Sequence, residues 1–405
     1  MKTNVPFFRS LIVLIAVLYV FPTCKNKDDL CNPIPQFNID LFVQEVNART
    51  NDAANPVSGY QFAVNRNGQL YHAEAGGVAI HAKDPNGPKN MTVDVRMTVA
   101  SVSKFIGAMA MMKVMEDYGI GGEFNVIDYL PDSWKTVAHP DFKDVDKAAF
   151  LTFKRLMTMN TAIAFPGTNP SPGIMPTEAQ MLAAIRATPD PTRIGVYQNG
   201  NFTMIRVLIG EIVYGLDETS ANYATACTDK YFEYIKTNFF DKLNVYPPMT
   251  AQAVNDYYSV TTYPLGYRFP FDATWSNPSD GTLGWAHTSD PYLNGGSGGL
   301  LLSCMDLAKL LAYFRHDDNE TLISKTQREK ILSEELGLIE SADGAYGRYQ
   351  AKGGTRGPES CCNRALRAQI VFFPNGVEAV LLSNCNIATL GSILRDSFDA
   401  AWEGC

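Results

Sequence analysis

Two hairpin signals at opposite ends of this 405-residue chain constrain its fold more than any other feature. Near the start, Gly59-Tyr60-Gln61-Phe62-Ala63-Val64 and Gln69-Leu70-Tyr71-His72-Ala73-Glu74-Ala75 flank Asn65-Arg66-Asn67-Gly68. Strand-like runs around an Asn-Gly pair predict two antiparallel strands joined by a tight turn. Near the end, Gln369-Ile370-Val371-Phe372-Phe373 and Glu378-Ala379-Val380-Leu381-Leu382-Ser383 surround Pro374-Asn375-Gly376 and predict a second hairpin. From about residue 118 to 295 the chain reads as helical and loop-rich, broken by stretches such as Phe165-Pro166-Gly167-Thr168-Asn169-Pro170-Ser171-Pro172-Gly173. Asn38 caps a predicted helix whose apolar residues Ile39, Phe42, Val43 and Val46 recur at helical spacing, and a last helix runs from Ile387 to Trp402. Strands at both ends around a helical middle predict an α+β class: an antiparallel sheet flanked by helices, with a mainly helical inserted subdomain. The sheet part then spans about 38–117 and 296–403, and the insertion about 118–295.

A hydrophobic content of 46% with 19% charged residues is that of an ordinary globular protein. The net charge of −8 argues against a nucleic-acid partner and against a polybasic membrane surface. Membrane contact, if it exists, must come from the N-terminus. There Lys2 and Arg9 precede the apolar stretch Leu11–Phe21, too short to span a bilayer comfortably, which reads as a secretory signal peptide over residues 1–23. Its loss would leave a net charge of about −10. Cys24, followed by Lys25-Asn26-Lys27-Asp28-Asp29, resembles the lipidated first residue of a bacterial lipoprotein, and residues 24–37 read as a tether. These features predict export to the bacterial cell envelope with a lipid anchor at Cys24, in the periplasm or at the cell surface. Of eight cysteines, at 24, 31, 227, 304, 361, 362, 385 and 405, none has C-x-x-C spacing or a zinc-like histidine array. An oxidising compartment makes disulfides an expectation, although adjacent Cys361 and Cys362 cannot form an ordinary bridge with each other.

The chemistry begins at Ser101-Val102-Ser103-Lys104, which opens the apolar run Phe105–Met112. A serine and a lysine at i and i+3 share one face of a helix. Ser101 would lie in the first turn, among free backbone N–H groups, while Lys104 points inward. Burial disfavours the charged form of a lysine, and a neutral amine beside a hydroxyl is what an activated serine needs. Alone this motif is weak. Tyr197-Gln198-Asn199, leading into the helical run Met204–Val213, can place a phenol near the serine and an amide near a substrate. A phenol shuttles protons near neutrality only if positive charge lowers its pKa from about 10. Lys352-Gly353-Gly354-Thr355 offers that charge and a bare backbone that can approach a ligand closely. Gly295-Gly296-Ser297-Gly298-Gly299, followed by Leu300–Leu302 and a helix capped near Ser303, reads as scaffold.

In this order, the segments resemble the serine β-lactamase-related superfamily, whose members include class C β-lactamases, D-alanyl-D-alanine carboxypeptidases and β-lactamase-like esterases. The resemblance covers residues 38–403 and implies a β-lactamase/transpeptidase-like fold. It implies an acyl-enzyme mechanism on an ester, a D-amino-acid amide or peptide, or a β-lactam-like substrate, with no metal or organic cofactor. Ser101 would be the nucleophile, with Lys104 and Tyr197 sharing the proton transfers. The N–H groups of Ser101 and Thr355 would hold the oxyanion. Asn199 would contact substrate, and Lys352, with Gly353 and Gly354, would polarise the site and attract a carboxylate. Three departures limit the substrate reading: Gly353 stands where relatives have threonine, Leu156–Thr161 follows their pattern only loosely, and Cys361-Cys362-Asn363-Arg364 looks like added sequence. A second class of function would use the same serine: a non-catalytic or slowly deacylating penicillin-binding sensor lipoprotein. Metal-dependent hydrolysis is disfavoured, because the five histidines form no close-spaced ligand pair, and no G-x-S-x-G elbow surrounds any serine.

Overall fold

A computed structural model describes residues 35–165, 176–259, 263–278, 281–286, 294–357 and 363–403. The signal peptide, Cys24, most of the tether, the Pro166–Gly173 stretch, His287, Cys31, Cys361, Cys362 and Cys405 lie outside the described residues. Residues 38–401 form one compact unit, and the short strands Gln36–Phe37 and Trp402–Glu403 pair with each other in a second, small one.

Both hairpins are present and meet in one sheet. The first joins β1 (Gly59–Arg66) to β2 (Gln69–Ile80) through Asn67 and Gly68, both at positive φ, as a tight Asn-Gly turn requires. β3 (Lys89–Asn90) extends it, and β4 (Tyr267–Arg268) is a two-residue strand from the middle of the chain. β5 (Ala342–Gly344), β6 (Gly347–Arg356), β7 (Arg364–Phe372) and β8 (Val377–Ser383) complete it. The order is β3-β2-β1-β8-β7-β6-β5, with β4 added to β7, and every pairing is antiparallel. The sequence-distant hairpins are therefore neighbours through the β1–β8 pair.

Residues on β8 and most of β7 are buried on both faces, because helices cover the sheet front and back. Phe372 and Phe373 record this directly, since successive strand side chains point to opposite faces. Phe372 packs with Phe105 and Phe314, ring centroids 5.5 Å from each. Phe373 stacks on Phe398 at 3.9 Å and meets Phe42 edge-on at 5.8 Å. The first cluster belongs to helices α2 (Ser103–Asp117) and Cys304–His316, the second to α1 (Ile39–Thr50) and Leu390–Ala400. Asn38 caps α1 as its spacing predicts, its side chain accepting from the Leu41 N–H at 3.1 Å.

Cys227, Cys304 and Cys385 are buried free thiols, so the disulfides expected of an exported chain do not involve them. The Cys304 and Cys385 thiols donate instead to the Val93 and Arg268 carbonyls.

Candidate active site

Val99 to Ser103 turns sharply out of the short strand Met97–Thr98 into α2. Ala100 adopts φ 45°, a left-handed conformation rare for a residue with a Cβ. Such strain concentrates at functional sites, where surrounding structure enforces it. Ser101 lies in a 3₁₀ turn over Ala100–Val102 that runs directly into α2. Lys104, one turn on, is completely buried.

The Lys104 amine has three neighbours: Ser101 Oγ at 3.0 Å, Asn199 Oδ1 at 2.7 Å and the Ser297 carbonyl at 2.6 Å. Burial, and then the positive charge of Lys352, hold its pKa well below the usual lysine range. The three acceptors would favour an ammonium, but no carboxylate touches Lys104, and desolvation of an unpaired charge is the larger effect. Donor counting then fixes the orientation of the neutral form. The two carbonyl oxygens can only accept, so they take the two N–H bonds of a neutral amine. Its lone pair is left facing the Ser101 hydroxyl.

Tyr197 Oη lies 2.6 Å from the same Ser101 Oγ. The tyrosine ends a loop at the mouth of helix α3 (Asn199–Tyr214), which begins five residues before the helical run read from sequence. Buried Gln198 anchors that loop, accepting from the Phe165 N–H at 3.2 Å. Burial pushes the Tyr197 phenol well above its ordinary value. The lowering by positive charge that the sequence suggests is not found: burial outweighs the hydrogen bond to Ser101, the negative charge of Glu340 adds to it, and the phenol stays protonated. Ser101 Oγ is thus held between a lone pair and an O–H.

β6 brings up the third segment. Gly354 faces the serine turn, and a Cβ there would overlap the Val99 carbonyl and stand 2.9 Å from Ser101 N. Gly353 N–H points to Glu340 Oε2 at 2.8 Å, away from the paired strand β7. Strand N–H groups alternate in direction, so the Thr355 N–H shares that outer edge. The Thr355 hydroxyl accepts from Arg367 at 2.6 Å on the far face. Lys352 is 1% exposed, its Nζ 5.6 Å from the Tyr197 ring centroid. It donates to Glu340 Oε1 and to the Gly353 carbonyl. The carboxylate that Lys352 holds in the structure is that of Glu340.

Ser101, Lys104, Tyr197, Asn199, Lys352, Gly353 and Gly354 therefore converge, with the Thr355 N–H on the adjoining strand edge. Sequence reasoning missed two members. Ser297 was read as scaffold, yet its carbonyl orients Lys104, and the glycines around it were the available signal. Glu340 sits twelve residues before Lys352 in an irregular connection, and nothing in the sequence singles it out. Among the described residues no group of three His, Cys, Asp or Glu is placed to hold a metal ion.

The Beta-lactamase family matches residues 45–358 of the chain. Among solved structures, EstCE1, a hydrolase with promiscuous acyltransferase activity, aligns with a TM-score of 0.62 at 14% identity, covering 89% of this chain and 98% of that one. The D-amino acid amidase of Ochrobactrum anthropi SV3, complexed with L-phenylalanine amide, gives 0.59 at 13% identity with the same coverage. A β-lactamase/D-alanine carboxypeptidase from Pseudomonas syringae gives 0.58 at 14% identity, again covering 89% and 98%. No curated protein matches the chain. At these identities the structural likeness establishes the fold.

Proposed function

The chain belongs to the Beta-lactamase family, and from that premise we propose that it is a serine hydrolase that cleaves an ester or a D-amino-acid amide through an acyl-enzyme on Ser101. The observation that carries this reading is the placement of Ser101 Oγ 3.0 Å from the Lys104 amine and 2.6 Å from the Tyr197 phenol. Neutral Lys104 takes the hydroxyl proton as Oγ bonds to the substrate carbonyl carbon. The tetrahedral oxyanion is met by the N–H groups of Ser101, at the head of α2, and Thr355, on the outer edge of β6. Tyr197, still protonated, gives its proton to the leaving alkoxide or amine and is reprotonated from Lys104. Water then attacks the acyl-enzyme by the reverse route. Asn199 orients the lysine, and Gly354 lets the strand lie against the serine turn.

The direct test is turnover of a p-nitrophenyl acyl ester, D-phenylalanine amide and a chromogenic cephalosporin by wild type and Ser101→Ala. Turnover of the ester or the amide that falls at least about 10³-fold in the variant supports the reading. Equal rates in both proteins overturn it. An adduct on Ser101 without turnover would identify the slowly deacylating sensor instead. We further propose export and lipid attachment at Cys24, supported by the short apolar stretch and the cysteine that follows it.

A further inference from the structure

We propose that Glu340 sets the substrate class, barring acyl substrates that carry a carboxylate beside the reacting group and admitting neutral or cationic ones. The proposal rests on the acyl-enzyme reading of Ser101. A substrate whose carbonyl oxygen reaches the Thr355 N–H lies along the outer edge of β6. Two residues along that edge, about 7 Å away at strand spacing, it meets the position of Gly353 and Lys352. A carboxylate placed there would need donors, and three are conceivable at that position: the Lys352 ammonium, the outward Gly353 N–H and a hydroxyl on residue 353. Here all three are withdrawn. The Lys352 ammonium and the Gly353 N–H both bind the Glu340 carboxylate, one oxygen each. Residue 353 carries no hydroxyl.

The glycine and the glutamate explain each other. A Cβ at 353 would overlap Glu340 Oε2 and stand 2.7 Å from Gln369 Oε1, so a threonine there would push the ends of both side chains aside. Glu340 is also the exposed partner of the pair, 43% accessible against 1% for Lys352. Of this pair, the carboxylate is therefore the accessible group and the ammonium the hidden one. An incoming carboxylate would face a like charge in place of a partner, whereas an amine or an uncharged group would not.

The experiment uses two p-nitrophenyl esters of the same chain length, one ending in a carboxylate and one in a carboxamide. They are turned over by wild type, Glu340→Gln, Glu340→Ala and Glu340→Ala/Gly353→Thr. The ratio of kcat/KM, carboxylate over carboxamide, is expected to rise at least about 10-fold in Glu340→Ala. It should rise further in the double variant, which adds a hydroxyl where Glu340 has been removed. A ratio that stays within about 2-fold of wild type in all of them overturns the proposal. Binding of the two corresponding non-hydrolysable N-alkyl amides to Ser101→Ala, with and without Glu340→Ala, decides the matter without turnover. Selective tightening of the carboxylate ligand on removal of Glu340 supports the proposal even where no ester is cleaved, and no selective change overturns it. Absence of ester cleavage in every variant counts against the hydrolase reading alone.

Discussion

At the scale of single residues, the account turns on two protonation states that burial sets in opposite senses. Lys104 is held well below the ordinary lysine range, first by burial and then by the positive charge of Lys352. Tyr197 is held above the ordinary phenol range, so it remains an acid near neutrality. The sign follows directly. As pH falls through the depressed Lys104 pKa the base becomes protonated and turnover is lost, while the alkaline limb waits for the raised Tyr197. A pH profile of kcat/KM should thus show its acid limb well under the usual lysine pKa. A limb near 10 would show that Lys104 is not the base. Glu340 raises the Lys104 pKa through its charge, so Glu340→Gln should move the acid limb to lower pH. Tyr197→Phe and Lys104→Met should each lower kcat by about 10²–10⁴-fold, measured by steady-state kinetics.

At the scale of elements, the hairpins and the serine helix were legible because each carries a local signal: Asn-Gly at positive φ, an Asn cap, an i, i+3 Ser-Lys pair. What local signals cannot carry is which elements meet. β1 and β8 lie some three hundred residues apart and pair through both hairpins. Glu340 reaches Lys352 only because an irregular segment passes beside β6, with the Glu340 N–H donating to the Ala351 carbonyl at 3.2 Å. The same limit hid β4, two residues of the helical middle recruited by β7. Gly354→Ala tests the contact between strand and serine turn. Its methyl would overlap the Val99 carbonyl, and we expect a loss of about 1–3 kcal/mol in urea unfolding together with a collapse of turnover. Phe372→Ala and Phe373→Ala empty clusters on opposite faces of the sheet. Each should cost about 3–5 kcal/mol, and the double variant should be close to the sum.

At the scale of the whole molecule, residues 38–401 form one compact body in which the serine turn, α2, the Tyr197 loop and β6 bring the reacting groups together, while residues 1–23 and Cys24 are read as an address. No helix among the described residues is long and apolar enough to cross a membrane. Expressed from its full sequence in a bacterial host, the chain should fractionate with membranes. Cys24→Ala should move it to the soluble fraction with its hydrolytic rate intact, and unchanged fractionation would count against lipidation. The central claim is that Ser101 is the acylated atom. Intact-protein mass after exposure to a p-nitrophenyl fluorophosphonate, a probe that traps an activated serine irrespective of substrate preference, tests it most directly. The account predicts one adduct per chain on wild type, mapped to the Ser101 peptide, and none on Ser101→Ala or Lys104→Met. Equal labelling of wild type and Ser101→Ala, or an unmodified wild type under conditions that saturate a known serine hydrolase, would contradict it.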